Sequence, residues 1–255
     1  MARLGEEGLA DLAAALDALT PAARTAPIPR RTDDDDLPLS FAQERLWFID
    51  QLSPARGAYN MPAALRLTGR LDHDALARAF ATICRRHAVL RTAMIERDGR
   101  PVQRIHPAPE TWPLPVEDLS DLADPEAEVV ARAVEDAETP FDLTRPLKIR
   151  TRLLRLGETS HVLLATLHHI ASDGWSIGVM VRELGALYAA FAAGRPDTLP
   201  PLAVDYADVA LWQRARLSGA ERDRLLDHWR GVLDGFTAPE PVFDRPRPAV
   251  QSYQG

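Results

Sequence analysis

Two adjacent histidines, His168 and His169, followed by Asp173 and Gly174, form the segment of this sequence best suited to chemistry. An imidazole titrates near neutral pH, so it can carry a proton or donate a hydrogen bond to developing negative charge. The segment lies where an apolar, strand-like run at 162–167 gives way to a long helical pattern. In folds that mix sheets and helices, that edge is a common seat for reactive side chains. On a strand the two rings would point to opposite faces, one towards a channel and the other into the packing behind it. This divergence, together with the lack of a third ligand at a recognisable spacing, argues against a metal centre. Asp173 stands four residues beyond His169 and just before a glycine, where it can cap a helix or pair with an arginine. Residue type and spacing alone leave the histidine pair open to a structural role as well as a catalytic one. Cys84 and Ser176 lack an evident activating neighbour, so a covalent acyl-enzyme is not expected.

The elements that must hold this segment can be read from periodicity and punctuation. Ser40 and Gln43 have the spacing of a capping box, opening a helix with Leu46, Ile49 and Leu52 on its apolar face, widened by Trp47 and Phe48. Residues 63–67 read as a strand. Asp72 caps a second helix whose Leu76, Phe80, Ile83 and His87 follow the helical period. Strands at 90–96 and 102–105 join through Asp98-Gly99, and Asp124-Pro125 opens a helix to about 138. Strands at 147–156 and 161–168 form a hairpin, the second apolar on both faces and therefore central in a covered sheet. A helix from 174 to about 193 and two more, near 205–217 and 220–234, complete the pattern. The expected class is α/β, an α+β sandwich with a mixed sheet covered by helices.

Composition narrows the partners. Across 255 residues, 46% are hydrophobic and 26% charged, enough apolar material for a sizeable core. A formal charge of −7 argues against nucleic acid and anionic membrane as partners. A single cysteine suits a reducing compartment, and neither a signal peptide nor a membrane span is evident, so the expectation is a cytoplasmic protein. Residues 1–36 read as a leucine-spaced helix at 4–19 followed by a proline-containing linker with the acidic run 33–36, serving as a spacer or docking segment. The folded domain is expected over 37–255, ending in a proline-rich tail.

His168-His169, Asp173 and Gly174 resemble the signature of the superfamily that includes chloramphenicol acetyltransferase and the condensation domains of nonribosomal peptide synthetases. Three further segments resemble condensation-domain motifs in the expected order: Ser40-Phe-Ala-Gln-Glu-Arg-Leu-Trp47, Arg86-His-Ala-Val-Leu-Arg-Thr92, and Asp205-Tyr-Ala-Asp-Val-Ala-Leu-Trp-Gln-Arg214. The resemblance implies a chloramphenicol acetyltransferase-like subdomain and the N-terminal half of such a domain. It implies amide-bond formation between a donor aminoacyl or peptidyl thioester and an acceptor amine. Both substrates would ride on the phosphopantetheine arms of carrier proteins, with no cofactor bound directly.

By the same resemblance, His169 faces the substrates, His168 supports it, Asp173 is a structural carboxylate paired with Arg91 in preference to Arg86, and Gly174 leaves room for substrate. Arg86, Arg91 and Trp212 are expected to support the site. The histidines speak against a heterocyclisation domain, and the residues around them most resemble domains that take an L-configured donor. The later family motifs do not follow, so a C-terminal condensation subdomain is an expected partner beside the donor and acceptor carrier proteins, and the chain alone is expected to be weakly active or inactive. The alternatives are a non-catalytic module that recruits carrier proteins and a stand-alone acyltransferase acting on soluble thioesters.

Overall fold

Local rules written in the sequence set most of the elements. In the computed structural model, which describes residues 27–32, 36–52, 56–237 and 239, the order is β1 (Leu37–Pro38), α1 (Phe41–Leu52), β2 (Asn60–Thr68), α2 (His73–Arg86), β3 (Thr92–Arg97), β4 (Arg100–Ile105), β5 (Val116–Asp118), α3 (Pro125–Glu138), β6 (Ile149–Gly157), β7 (Ser160–His168), α4 (Gly174–Ala192), α5 (Tyr206–Arg216) and α6 (Gly219–Val232). The helix expected at 4–19, the acidic positions 33–35 and most of the C-terminal tail lie outside the described residues.

The capping box at α1 is formed in both directions. Gln43 N–H donates to Ser40 Oγ at 3.2 Å, and Ser40 N–H donates to Gln43 Oε1 at 3.0 Å. Asp72 and Asp124 accept from Ala75 N–H and Ala127 N–H at the starts of α2 and α3. Asp98 and Gly99, with φ of 52° and 72°, supply the left-handed pair that a two-residue hairpin between β3 and β4 requires.

The strands form two sheets, in the orders β1-β4-β3 and β2-β7-β6-β5. The short β1 and β5 carry no alternation that would announce them; β5 pairs parallel to β6, whereas β2, β6 and β7 pair antiparallel. Strand β7 is central, as its two-sided apolarity predicts. Its Leu163 and Leu167 pack with Leu76, Phe80 and Ile83 of α2 and Met180, Leu184 and Leu187 of α4. Its Val162 and Leu164 pack on the other face with Val129 of α3. This two-residue period decides which histidine ends up where. The architecture is mixed α/β, with helices covering the sheet.

Three local expectations need correction. The apolar face of α1 is covered only in part: Leu46 and Trp47 pack against the cluster of Leu39 and Met94, whereas Leu52 and Phe48 are exposed, and the buried residues of the helix are Gln43 and Asp50. The helical period over 174–193 also places Val181 with Met180 and Leu184 on a buried stripe, yet Val181 is exposed. The N-terminal segment read as a linker also engages the body. Arg30 donates to the carbonyls of Leu202 and Ala203, Arg31 pairs with Asp205 and Asp208, and Asp36 pairs with Arg97 and Arg104.

Gly57 marks a close approach. It lies in the single turn Arg56–Tyr59, and a Cβ there would stand 2.7 Å from the carbonyl oxygen of Glu138, at the end of α3. We expect Gly57→Ala to destabilise the chain by about 1–3 kcal/mol in urea unfolding, because backbone on both sides must move.

Candidate active site

The site is built at the end of β7. His168 is the last strand residue and continues the face of Val162 and Leu164, so its ring enters the interior between Tyr59 and Phe141, whose ring lies edge-on at a centroid distance of 5.9 Å. His168 is 1% exposed. Its Nδ1 accepts the backbone N–H of Ile170 at 3.0 Å, which requires that nitrogen to be unprotonated. Burial first, then the charges of Lys148 and His169, push its pKa down to about 4. Lys148 is itself fully buried, its Nζ donating to the carbonyls of Arg145 and Pro146, and burial lowers its pKa to about 8. The buried histidine is therefore a neutral hydrogen-bond acceptor that shapes the turn following the strand.

That turn carries His169 outwards. Its backbone N–H donates to Tyr59 O at 2.9 Å, Ala171 N–H returns to His168 O at 3.0 Å, and Gln43 Nε2 of α1 reaches Ile170 O at 3.3 Å. Held on both sides, the His169 side chain is exposed and lines a cavity of about 660 Å³. Leu46 and Ile49 of α1, Met180 and Val179 of α4, and Leu202 and Val204 form much of its apolar wall. Part of the apolar face of α1, Leu46 and Ile49, is thus a cavity wall.

Asp173 caps α4. Its carboxylate accepts from Ser176 N–H at 2.8 Å and Ser176 Oγ–H at 2.6 Å, and these bonds hold its pKa below the usual carboxylate range. The expected arginine pairing is not formed. Arg91 instead donates to the carbonyls of Cys84 and His106, and Arg86 to Glu183 and Pro200 O. The cap geometry turns the carboxylate towards the first turn of α4, and both guanidinium groups are committed to other acceptors. We expect Asp173→Ala to cost about 1 kcal/mol in urea unfolding and Asp173→Asn only a few tenths, because an amide oxygen still caps. A Cβ on Gly174 would meet no atom within 4 Å, so the space before the helix start is open. Cys84 is buried and its thiol is pushed up to about 11 by burial, an inert packing group.

The first and last motif segments meet in space. Tyr206 Oη lies 2.9 Å from Ser40 Oγ, Gln213 Oε1 accepts Phe41 N–H at 3.1 Å, and Arg214 Nε donates to Leu39 O at 2.8 Å, so α5 clamps the start of α1. Trp212 is half-buried on α5 under the guanidinium of Arg216 and is not itself among the residues lining the cavity.

The family model for the condensation domain matches residues 33–255. This chain belongs to the condensation-domain family. Over 223 residues it is 46% identical to chondramide synthase cmdD of Chondromyces crocatus, covering 87% of this chain and 6% of that protein. Phosphinothricin tripeptide synthetase PhsC of Streptomyces viridochromogenes is 44% identical over 89% of this chain and 21% of that protein. Among solved structures, the X-domain from teicoplanin biosynthesis in complex with OxyB matches with 34% identity and a TM-score of 0.77, over 88% of this chain and 49% of that one. The first condensation domain of the calcium-dependent antibiotic synthetase, in complex with a substrate analogue, matches with 28% identity and a TM-score of 0.70, over 81% and 49%. This condensation-family chain thus spans a small part of its curated relatives and about half of these solved ones. Among the described residues, no helix is long and apolar enough to cross a membrane.

Proposed function

We propose that this chain is the histidine-bearing half of a peptide-synthetase condensation domain, which joins a donor acyl thioester to an acceptor amine, both delivered on the phosphopantetheine arms of carrier proteins. One observation carries the reading: His169 stands exposed on a largely apolar cavity while His168 is buried behind it as a neutral acceptor. A thioester is already activated, so bringing the amine to it supplies much of the acceleration. The amine lone pair attacks the carbonyl carbon, the C–N bond forms, and the C–S bond breaks as the tetrahedral intermediate collapses. The amine loses one proton and the departing thiolate gains one. An imidazole beside the reacting carbon carries that proton between them, and its N–H steadies the intermediate. Gly174 leaves the approach to the helix start free, and the residues around the histidine pair favour an L-configured donor.

Trp175, which lines the cavity, Phe48 and Leu52 of α1, and Leu226 and Trp229 of α6 are all exposed, surfaces that suit coverage by a second subdomain. Catalysis is therefore proposed to need a C-terminal condensation subdomain. Intact-mass analysis of loaded donor and acceptor carriers tests this. Product is expected when the chain and a separately expressed C-terminal subdomain are mixed, and product of the same rate from the chain alone would refute the need for the second half. A recruitment role is the second reading, supported by the likeness to an X-domain solved in complex with another protein, OxyB. Carrier binding without product in every mixture would establish it.

A further inference from the structure

A second polar group opens onto the cavity that holds His169. His87, the C-cap of α2, lines it beside Val89, Val179 and Leu202. Its Nε2 lies 2.7 Å from Oε2 of Glu183, on α4, and the other carboxylate oxygen accepts from Arg86 Nε at 3.1 Å. Arg86 also donates to Pro200 O at 2.6 Å, which ties the cluster to the segment carrying Leu202 and Val204. A carboxylate can only accept, so Nε2 is the donor of this pair, and the neutral ring then presents Nδ1 as an acceptor. No hydrogen bond to Nδ1 is formed among the described residues, and the side chain is 24% exposed. Here is an imidazole held in place by a carboxylate, on a wall that is otherwise mainly apolar. Few, well-placed polar groups on apolar walls are what give a ligand cavity its specificity.

We infer that His87, oriented by Glu183, is a recognition residue that accepts a hydrogen bond from an N–H or O–H group at the end of an otherwise apolar substrate side chain. This rests on the cavity being the substrate-binding face of a condensation domain. A site built around such a bond discriminates against the isostere that lacks the donor, because the acceptor is then left unpaired.

The test is equilibrium binding of aminoacyl N-acetylcysteamine thioesters to the 255-residue chain, in pairs that differ by a donor: threonine and valine, tyrosine and phenylalanine, and glutamine and its methyl-ketone isostere. In at least one pair the donor-bearing member should bind roughly tenfold more tightly. The preference should vanish in His87→Leu, shrink in Glu183→Gln, and persist in His169→Ala. In wild type, the Nδ1 resonance of His87 should shift with the preferred thioester and not with its partner, a readout that needs no variant to fold. Equal binding within every pair, no binding of any probe, an unmoved Nδ1, or a preference that survives His87→Leu would overturn the inference. With the C-terminal subdomain and loaded carriers added, turnover without discrimination rejects this inference alone, whereas discrimination without any turnover rejects the catalytic reading and leaves the recognition site standing.

Discussion

Replacing His169 with alanine is expected to lower the rate of amide formation, measured with the C-terminal subdomain present, by roughly 10²- to 10⁴-fold, the range lost when a positioned proton-transfer group is removed. The loss should fall on kcat, because in the proposed mechanism the ring acts on the reacting atoms, and it provides little of the cavity's apolar surface. Folding should be nearly unaffected. The side chain is exposed, and the bond that fixes the turn, to Tyr59 O, comes from the backbone of residue 169 and survives the substitution. A circular dichroism melt matching wild type would separate lost chemistry from lost structure. Unchanged turnover in His169→Ala would remove the residue from the mechanism.

The second large effect is on stability in acid. His168 has a pKa of about 4 in the folded chain, against an ordinary value of about 6.5 in the unfolded one. Between these values the unfolded state binds a proton that the folded state refuses, so acidification favours unfolding. The stability is fully present above the unfolded pKa and is lost as the pH falls towards the folded one. From pH 7 to pH 5 the loss from this group is about 2 kcal/mol. His161 is shifted in the same direction, mainly by burial, with His73 close by at a ring-centroid distance of 5.6 Å, and adds to the trend. Urea unfolding at the two pH values measures the total. His168→Asn isolates the larger part, because its amide oxygen can still accept from Ile170 N–H but does not titrate. The variant should start less stable, through lost packing against Phe141, yet lose about 2 kcal/mol less between pH 7 and pH 5. An acid dependence identical to wild type would mean that the buried ring is not the titrating group.

How far the sequence led depended on whether a feature was local. Caps at Ser40, Asp72, Asp124 and Asp173, the Asp98-Gly99 turn and the two-sided apolarity of β7 are short-range signals, and each formed as expected. The opposite placement of His168 and His169 followed from strand alternation, even though His169 has already entered the turn. Long-range partners were less legible. Asp173 could have met an arginine or capped a helix, and sequence does not say which acceptors Arg86 and Arg91 reach first. The α1 stripe has the spacing of a buried face, but spacing cannot tell a wall packed by this chain from one bordering a cavity. His87 was hidden for the same reason: it sits on the helical period of α2, and only the approach of Glu183 from α4 sets it apart. Strands of two or three residues, β1 and β5, are too short to show a period.

The central claim is that His169, presented from the end of β7 and backed by the neutral His168, performs the proton transfer of amide-bond formation. The measurement that meets it most directly is the intact mass of the acceptor carrier after incubation with loaded donor carrier, the C-terminal subdomain, and either this chain or its His169→Ala variant. The account predicts that the wild-type chain adds the donor acyl group to the acceptor carrier, while the folded variant leaves its mass unchanged over the same time. Equal transfer by the two chains would contradict it.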